Sequence, residues 1–219
     1  MISRRSLLGA AAGAGVLAAV TPAVPAHADP AGRWTKGTSA NGWRIDPAAV
    51  ARYRIEGSVA SVTLREGAVA AVLLHVARRW HYEIAPLDTG EGGGVAGYTA
   101  NRAVRAGYES NYLSGTAVAL HPTAYPVGGS EGLWPHHELI VRDILVDCEG
   151  TVVWGGDLAP AKASHFHIAA RRGDKTLARV AARLDTSSQA EFTAQTAGNV
   201  ADPATPERRE KARKLPRPR

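Results

Sequence analysis

The strongest pattern of apolar positions lies between residues 68 and 82. Val69, Val72, Leu73, Val76 and Trp80 recur there at helical spacing. The spacing predicts an amphipathic helix with one stripe on a core. Arg78 and Arg79 fall in its last turn, where cations complement the helix dipole. His75 and His81 sit in the same helix and read as ordinary packed or surface histidines. A second helix is expected over 133–148, with Ile140, Val141, Ile144, Leu145 and Cys148 on one face and Gly150 placed as a C-terminal cap. A third, rich in Ala and Arg, is expected over 176–184.

Strands are shorter. Residues 59–64 alternate, with Ala60, Val62 and Leu64 on one side and Ser61 and Thr63 on the other, the period of a half-buried strand. Further strands are expected at 95–98, 118–120, 151–154 and 164–169. Gly155-Gly156-Asp157 makes a tight turn, and His121-Pro122 stops the strand before it. Helices and short strands do not alternate strictly, and no internal repeat occurs. The expectation is an α+β fold with a small, mainly antiparallel sheet backed by helices.

The ends alter this picture. Ser3-Arg4-Arg5-Ser6-Leu7-Leu8 is a twin-arginine pattern, followed by an Ala/Gly-rich apolar run and by Ala26-His27-Ala28, small residues suited to cleavage. Residues 1–28 therefore read as a signal peptide for export of a folded chain, with an extracellular or cell-wall-associated product. The apolar run is too short to favour a membrane span. Residues 29–41 read as a linker, 42–190 as the domain, and 191–219 as a disordered basic tail.

The formal charge of +6 comes from these ends. The last fourteen residues hold seven Lys/Arg and two Glu, and Arg4 and Arg5 belong to the signal, which leaves the body near −1. Nucleic-acid binding by the body is therefore not expected. Cys148 is the only cysteine, so no intrachain disulfide forms, and it is expected to pack as a small hydrophobe. Gly92-Gly93-Gly94 lacks the Lys-Ser/Thr of a phosphate-binding loop.

Three blocks carry candidate chemistry. The first is Ser110-Asn111-Tyr112-x-x-Gly115-x-Ala117-x-Ala119-Leu120. The second is Trp154-Gly155-Gly156-Asp157, and the third is His165-Phe166-His167. In order and spacing they resemble the D-alanyl-D-alanine carboxypeptidase / L-alanyl-D-glutamate peptidase family of zinc peptidases, of actinobacterial type. The resemblance runs from about residue 68 to about 184. It implies a fold similar to the hedgehog signalling domain, a bound zinc, and peptidoglycan stem peptides or cell wall as partners. Ser110, Gly115, Trp154 and Asp157 would then frame a peptide groove.

The family holds zinc with a His and an Asp in a Ser-x-His-x-x-Gly-x-Ala-x-Asp segment and with a later His. An acidic base stands three residues before that last His. Three ligands leave one coordination position where water becomes acidic enough to attack an amide, and the carboxylate shuttles the proton. In this chain the first ligand position is Tyr112, the second is Ala119 and the base position is Lys162; His165 alone is retained. The Arg that often follows the family's Gly-Tyr is displaced as well, since Gly97-Tyr98 precedes Thr99 and the nearest Arg is Arg102.

Alanine offers no lone pair, a phenol with a pKa near 10 is a poor ligand at neutral pH, and an ammonium repels a metal. The implied protein is peptidase-like and catalytically impaired. Two alternatives are an active hydrolase with a rearranged metal site built from His121, His165 and His167, and a cell-wall binding module. Some zinc peptidases of this fold use the second His of a His-x-His, which would put the metal on His167. A Ser-His-Asp set (Ser110 or Ser114, His165, Asp157) lacks the Gly-x-Ser-x-Gly elbow.

Overall fold

The computed structural model describes residues 32–185 and 205–217. The expected signal at 1–28 and the part of the tail at 191–204 lie outside the described residues. Twelve helices and strands follow in chain order: β1 (Gly32–Arg33), β2 (Val50–Arg54), β3 (Ser61–Arg65), α1 (Ala68–Glu83), β4 (Val95–Ala96), β5 (Ala103–Val104), β6 (Ala117–Leu120), α2 (Pro135–Asp147), β7 (Val152–Trp154), β8 (His165–Ile168), α3 (Lys175–Leu184) and α4 (Pro206–Lys214). This is the expected α+β class with small antiparallel sheets.

The central sheet has the order β4-β6-β8-β7, all antiparallel. Its two faces differ because alternate residues of a strand point to opposite sides. Val118, Leu120, Phe166 and Ile168 join the main core with the stripe of α1 and with Val141, Ile144 and Leu145 of α2. Trp80 is fully buried at its centre, edge-on to Phe166 at 5.9 Å. An aromatic residue buried this way contributes on the order of 2–3 kcal/mol. Cys148 packs in the same core, where burial pushes its thiol pKa up. The opposite face carries Ala117, Ala119, His165 and His167.

The β2–β3 hairpin pairs Val50 with Arg65 through to Arg54 with Ser61. Only β3 is apparent from the sequence, because Val50-Ala-Arg-Tyr-Arg54 presents a ragged alternation. The Arg65 amide donates to Gly115 O and the Tyr98 amide to Thr63 O, which joins the hairpin to the central sheet. Pro135 occupies the first turn of α2 and shortens that helix relative to the expected span. Asp174 caps α3 by accepting from the Leu177 amide at 2.8 Å.

Two boundary expectations are corrected. Residues 32–41 are not a linker. β1 pairs with β5, and Ser39 and Asn41 bond into the body: Ser39 Oγ lies 2.8 Å from Ser114 Oγ, and Asn41 Nδ2 donates to Thr116 Oγ1 and Ile168 O. The basic tail is not wholly disordered. Residues 206–214 form α4, and Arg208 ion-pairs with Asp143 and Asp147 on α2. Its lack of apolar residues conceals this docking, which is made mainly by charge. No described helix is long and apolar enough to cross a membrane.

Candidate functional site

The site is built from the alternation of β6 and β8. The ladder sets Ala119 opposite His165 and Ala117 opposite His167. Small side chains on β6 leave room above the sheet for the imidazoles and for Tyr112, which clusters with both alanines. Tyr112 is delivered by the 3-10 turn Gly107–Tyr112. Its hydroxyl lies 2.6 Å from His165 Nδ1, and His165 Nε2 lies 2.9 Å from His167 Nδ1.

The network assigns the protons. The Tyr112 hydroxyl has no other partner among the described residues, so it donates to Nδ1. A neutral His165 then carries its proton on Nε2 and donates to His167 Nδ1, and His167 carries its own on Nε2. Burial drives the His165 pKa well below its usual value, with the charges of His167 and Lys162 acting in the same direction. Burial holds His167 at about 4. Burial also lifts the Tyr112 phenol well above 10, assisted by Glu109 and Tyr108. All three groups are uncharged at neutral pH.

Lys162 stands beside this chain of bonds. Its ammonium is 2.7 Å from Glu109 Oε1 and 5.1 Å from the Tyr112 ring centroid, an ion pair combined with a cation–π contact. Burial raises the Glu109 carboxyl, but the Lys162 hydrogen bond and the Arg105 amide outweigh it and hold the group below its usual range. Tyr108 closes the remaining side. Its ring centroid is 4.8 Å from that of His165, and its hydroxyl donates to Pro160 O at 2.8 Å.

Five of the positions singled out in the sequence therefore converge: 112, 119, 162, 165 and 167. The others do not join them. Trp154 belongs to the helix-side core, its indole donating to Ala163 O, with Arg142 stacked 4.7 Å from its ring centroid. Asp157 accepts from both terminal guanidinium nitrogens of that Arg142. Trp154 and Asp157 line a cleft of about 370 Å³ on the α2 side. Ser110 and Gly115 do not line it. Ser110 is fully buried, accepting from the Ala40 amide and donating to Gly107 O. Gly115 has φ +70°, and a Cβ there would lie 2.7 Å from Val50 Cγ1 and 2.8 Å from the Arg65 nitrogen. The expected groove framed by these four residues is thus overturned by the two-sidedness of the sheet.

His121 also falls on the wrong face. Its φ of 54° turns it toward α1, where Nδ1 accepts from Trp80 Nε1 at 2.9 Å and Nε2 faces Pro86 O at 3.1 Å. A metal site of His121, His165 and His167 is therefore not assembled. Nor is a Ser-His-Asp set: Ser114 bonds Ser39 and Thr116, and Asp157 bonds Arg142.

The residues at the convergence do not fit zinc, which takes nitrogen, sulfur or carboxylate donors in tetrahedral array. Both His165 nitrogens are committed within the chain, Ala119 has no donor atom, the Tyr112 phenol is neutral, and an ammonium stands over its ring. Among the described residues no group of three His, Cys, Asp or Glu could hold a metal ion.

Four contributors escape sequence reasoning: Glu109, Tyr108, Ser39 and Asn41. Glu109 carries one available signal, as the only acid between Glu91 and Glu131. Arg102, the nearest arginine after Gly97-Tyr98, is spent on Trp34 O and Lys36 O. No known protein family, curated protein or solved structure matches this chain.

Proposed function

We propose that the chain is an exported, zinc-peptidase-like protein that engages peptidoglycan stem peptides without hydrolysing them. One observation carries the non-hydrolytic half of this reading, and the stem-peptide half rests on the sequence resemblance. The positions that would hold the metal and base lie together, and the single retained ligand, His165, is sealed by Tyr112 on one nitrogen and His167 on the other. Such a centre has no means of making a metal-bound hydroxide. The Lys162 ammonium, paired with Glu109, cannot act as the proton acceptor that the reaction needs.

The test uses the purified chain, zinc and a stem pentapeptide ending in D-Ala-D-Ala. The expected result is saturable binding in calorimetry, no release of D-alanine, and no zinc retained after dialysis. Release of D-alanine, or one zinc per chain after dialysis, would overturn the non-hydrolytic reading. Absence of binding would overturn the stem-peptide assignment.

A further inference from the structure

A cleft of about 650 Å³ lies between α2 and α4, on the helix side of the molecule and away from the Tyr112–His165 centre. Five arginines and two carboxylates line it. Both carboxylates are already in ion pairs. Glu138 is 3.1 Å from Arg142, and Asp143 is held by Arg79 and Arg208. The two acids of α4 are also spent, Glu207 on Lys211 at 2.9 Å and Glu210 on Lys214 at 2.7 Å. Arg209, Arg213 and Arg217 are exposed and have no carboxylate partner among the described residues.

The helix thus segregates its cations. Its lysines are neutralised by i,i+4 pairs, while Arg209 and Arg213 on the helix and Arg217 just beyond it face the cleft with their charge uncompensated. Guanidinium forks match phosphate oxygens in pairs, which an ammonium cannot do. Arg209 and Arg213 are four residues apart, roughly 6 Å along the axis, a spacing suited to anions repeated along one chain. The lining has no aromatic side chain. Single-stranded nucleic acids are held largely by base stacking on such side chains, so a phosphodiester chain without bases fits better.

We propose that this cleft binds a polyol-phosphate chain through Arg209, Arg213 and Arg217. The assignment goes beyond the stem-peptide reading and does not rest on it, because Arg209, Arg213 and Arg217 lie apart from the Tyr112–His165 centre.

The experiment measures binding of the full chain to poly(glycerol phosphate), to a single-stranded oligonucleotide of equal phosphate number, and to inorganic phosphate. The polyol phosphate is expected to bind most tightly and to weaken about twentyfold between 50 and 200 mM salt, as about three phosphate contacts on a flexible single chain require. The variant R209A/R213A/R217A is expected to lose at least about tenfold in affinity. Its control, K175A/K211A/K214A, removes the same charge from outside the cleft and is expected to lose much less. Equal losses in the two variants would overturn the cleft in favour of a diffuse charge effect. An oligonucleotide binding as tightly as the polyol phosphate, or inorganic phosphate as tightly as either, would overturn the polymer assignment. All six positions are exposed, and the helical circular-dichroism signal checks that each variant is folded.

Discussion

The Tyr112 hydroxyl and His165 Nδ1 are buried 2.6 Å apart, so the phenol occupies the nitrogen that an incoming ligand would need. Replacing Tyr112 with Phe removes the donor and leaves Nδ1 buried without a partner. Such an orphaned group costs about 1–3 kcal/mol. Urea unfolding of Y112F should show a lower midpoint at unchanged slope. An unchanged midpoint would show that the hydroxyl contributes nothing to holding the imidazole.

The His165–His167 pair predicts an acid-sensitive fold. Burial holds His167 at about 4 and His165 well below its usual value, whereas both titrate near 6.5 in an unfolded chain. Between these values the unfolded state binds more protons, so stability rises with pH there and falls as pH drops from about 6.5 toward 4. His167 alone accounts for up to about 3 kcal/mol across that window. The carboxylates act lower. Asp147 is desolvated, but bonds from His75 and Arg208 and the charge of Arg79 hold it far below the usual range, so its contribution is lost only below about pH 4. In H167N the amide oxygen can still accept from His165. Its stability curve should be flatter between pH 4 and 6.5, measured as the urea midpoint against pH, and an unchanged curve would remove His167 from the account.

Gly115 separates an architectural role from a ligand-binding one. Its φ is +70°, and a Cβ at this position would come within 2.7 Å of Val50 Cγ1. Alanine there meets both backbone strain and a clash, and should cost more than about 2 kcal/mol. Gly42 has a similar φ of +83° but open space around it, so G42A should cost only about 1 kcal/mol. Equal losses in thermal unfolding would mean that the close approach of Gly115 to the hairpin carries no weight.

Some of this is legible in the chain and some is not, for physical reasons. The stripe Val69–Trp80 is long, regular and apolar, and it forms α1 as expected. The strands of the central sheet show as apolar runs, yet the runs do not reveal that Trp154 and His165 face opposite sides. That follows from the ladder pairing Trp154 with Phe166. The polar residues Ser110, Ser114 and Thr116 resemble site residues but serve to anchor residues 39–41, a long-range pairing with no local signature. His121 departs from expectation because a positive φ at a non-glycine residue reverses the side that strand alternation implies. The docking of α4 is hidden because ion pairs leave no periodic trace.

The anchoring of α4 yields its own expectation. The Asp143 side chain is 2% exposed and shared between Arg79 and Arg208. R208A leaves it with Arg79, so the loss should stay below the roughly 3–5 kcal/mol of a wholly broken buried pair, at about 1–2 kcal/mol. Amide hydrogen exchange should quicken across residues 206–214 while α1 keeps its protection. Equal acceleration in α1 would show that α4 is integral to the core rather than docked on it.

The strongest test of the metal-site assignment rebuilds the site. In Y112H/A119D/K162D the register opposite His165 gains a carboxylate at 119, the sealing phenol becomes an imidazole, and an acid replaces the ammonium beside Glu109. Without metal this variant should be less stable than the parent, since Glu109 and the new acid at 162 repel and a buried carboxylate at 119 lacks a partner. Zinc should reverse the loss. Saturation at about a thousand times Kd adds about 4 kcal/mol, read as a zinc-dependent rise in Tm absent from the parent. Release of D-alanine from a stem pentapeptide is the second readout. A variant that folds yet gains no zinc-dependent stability would show that 112, 119 and 165 do not stand where a metal was once held.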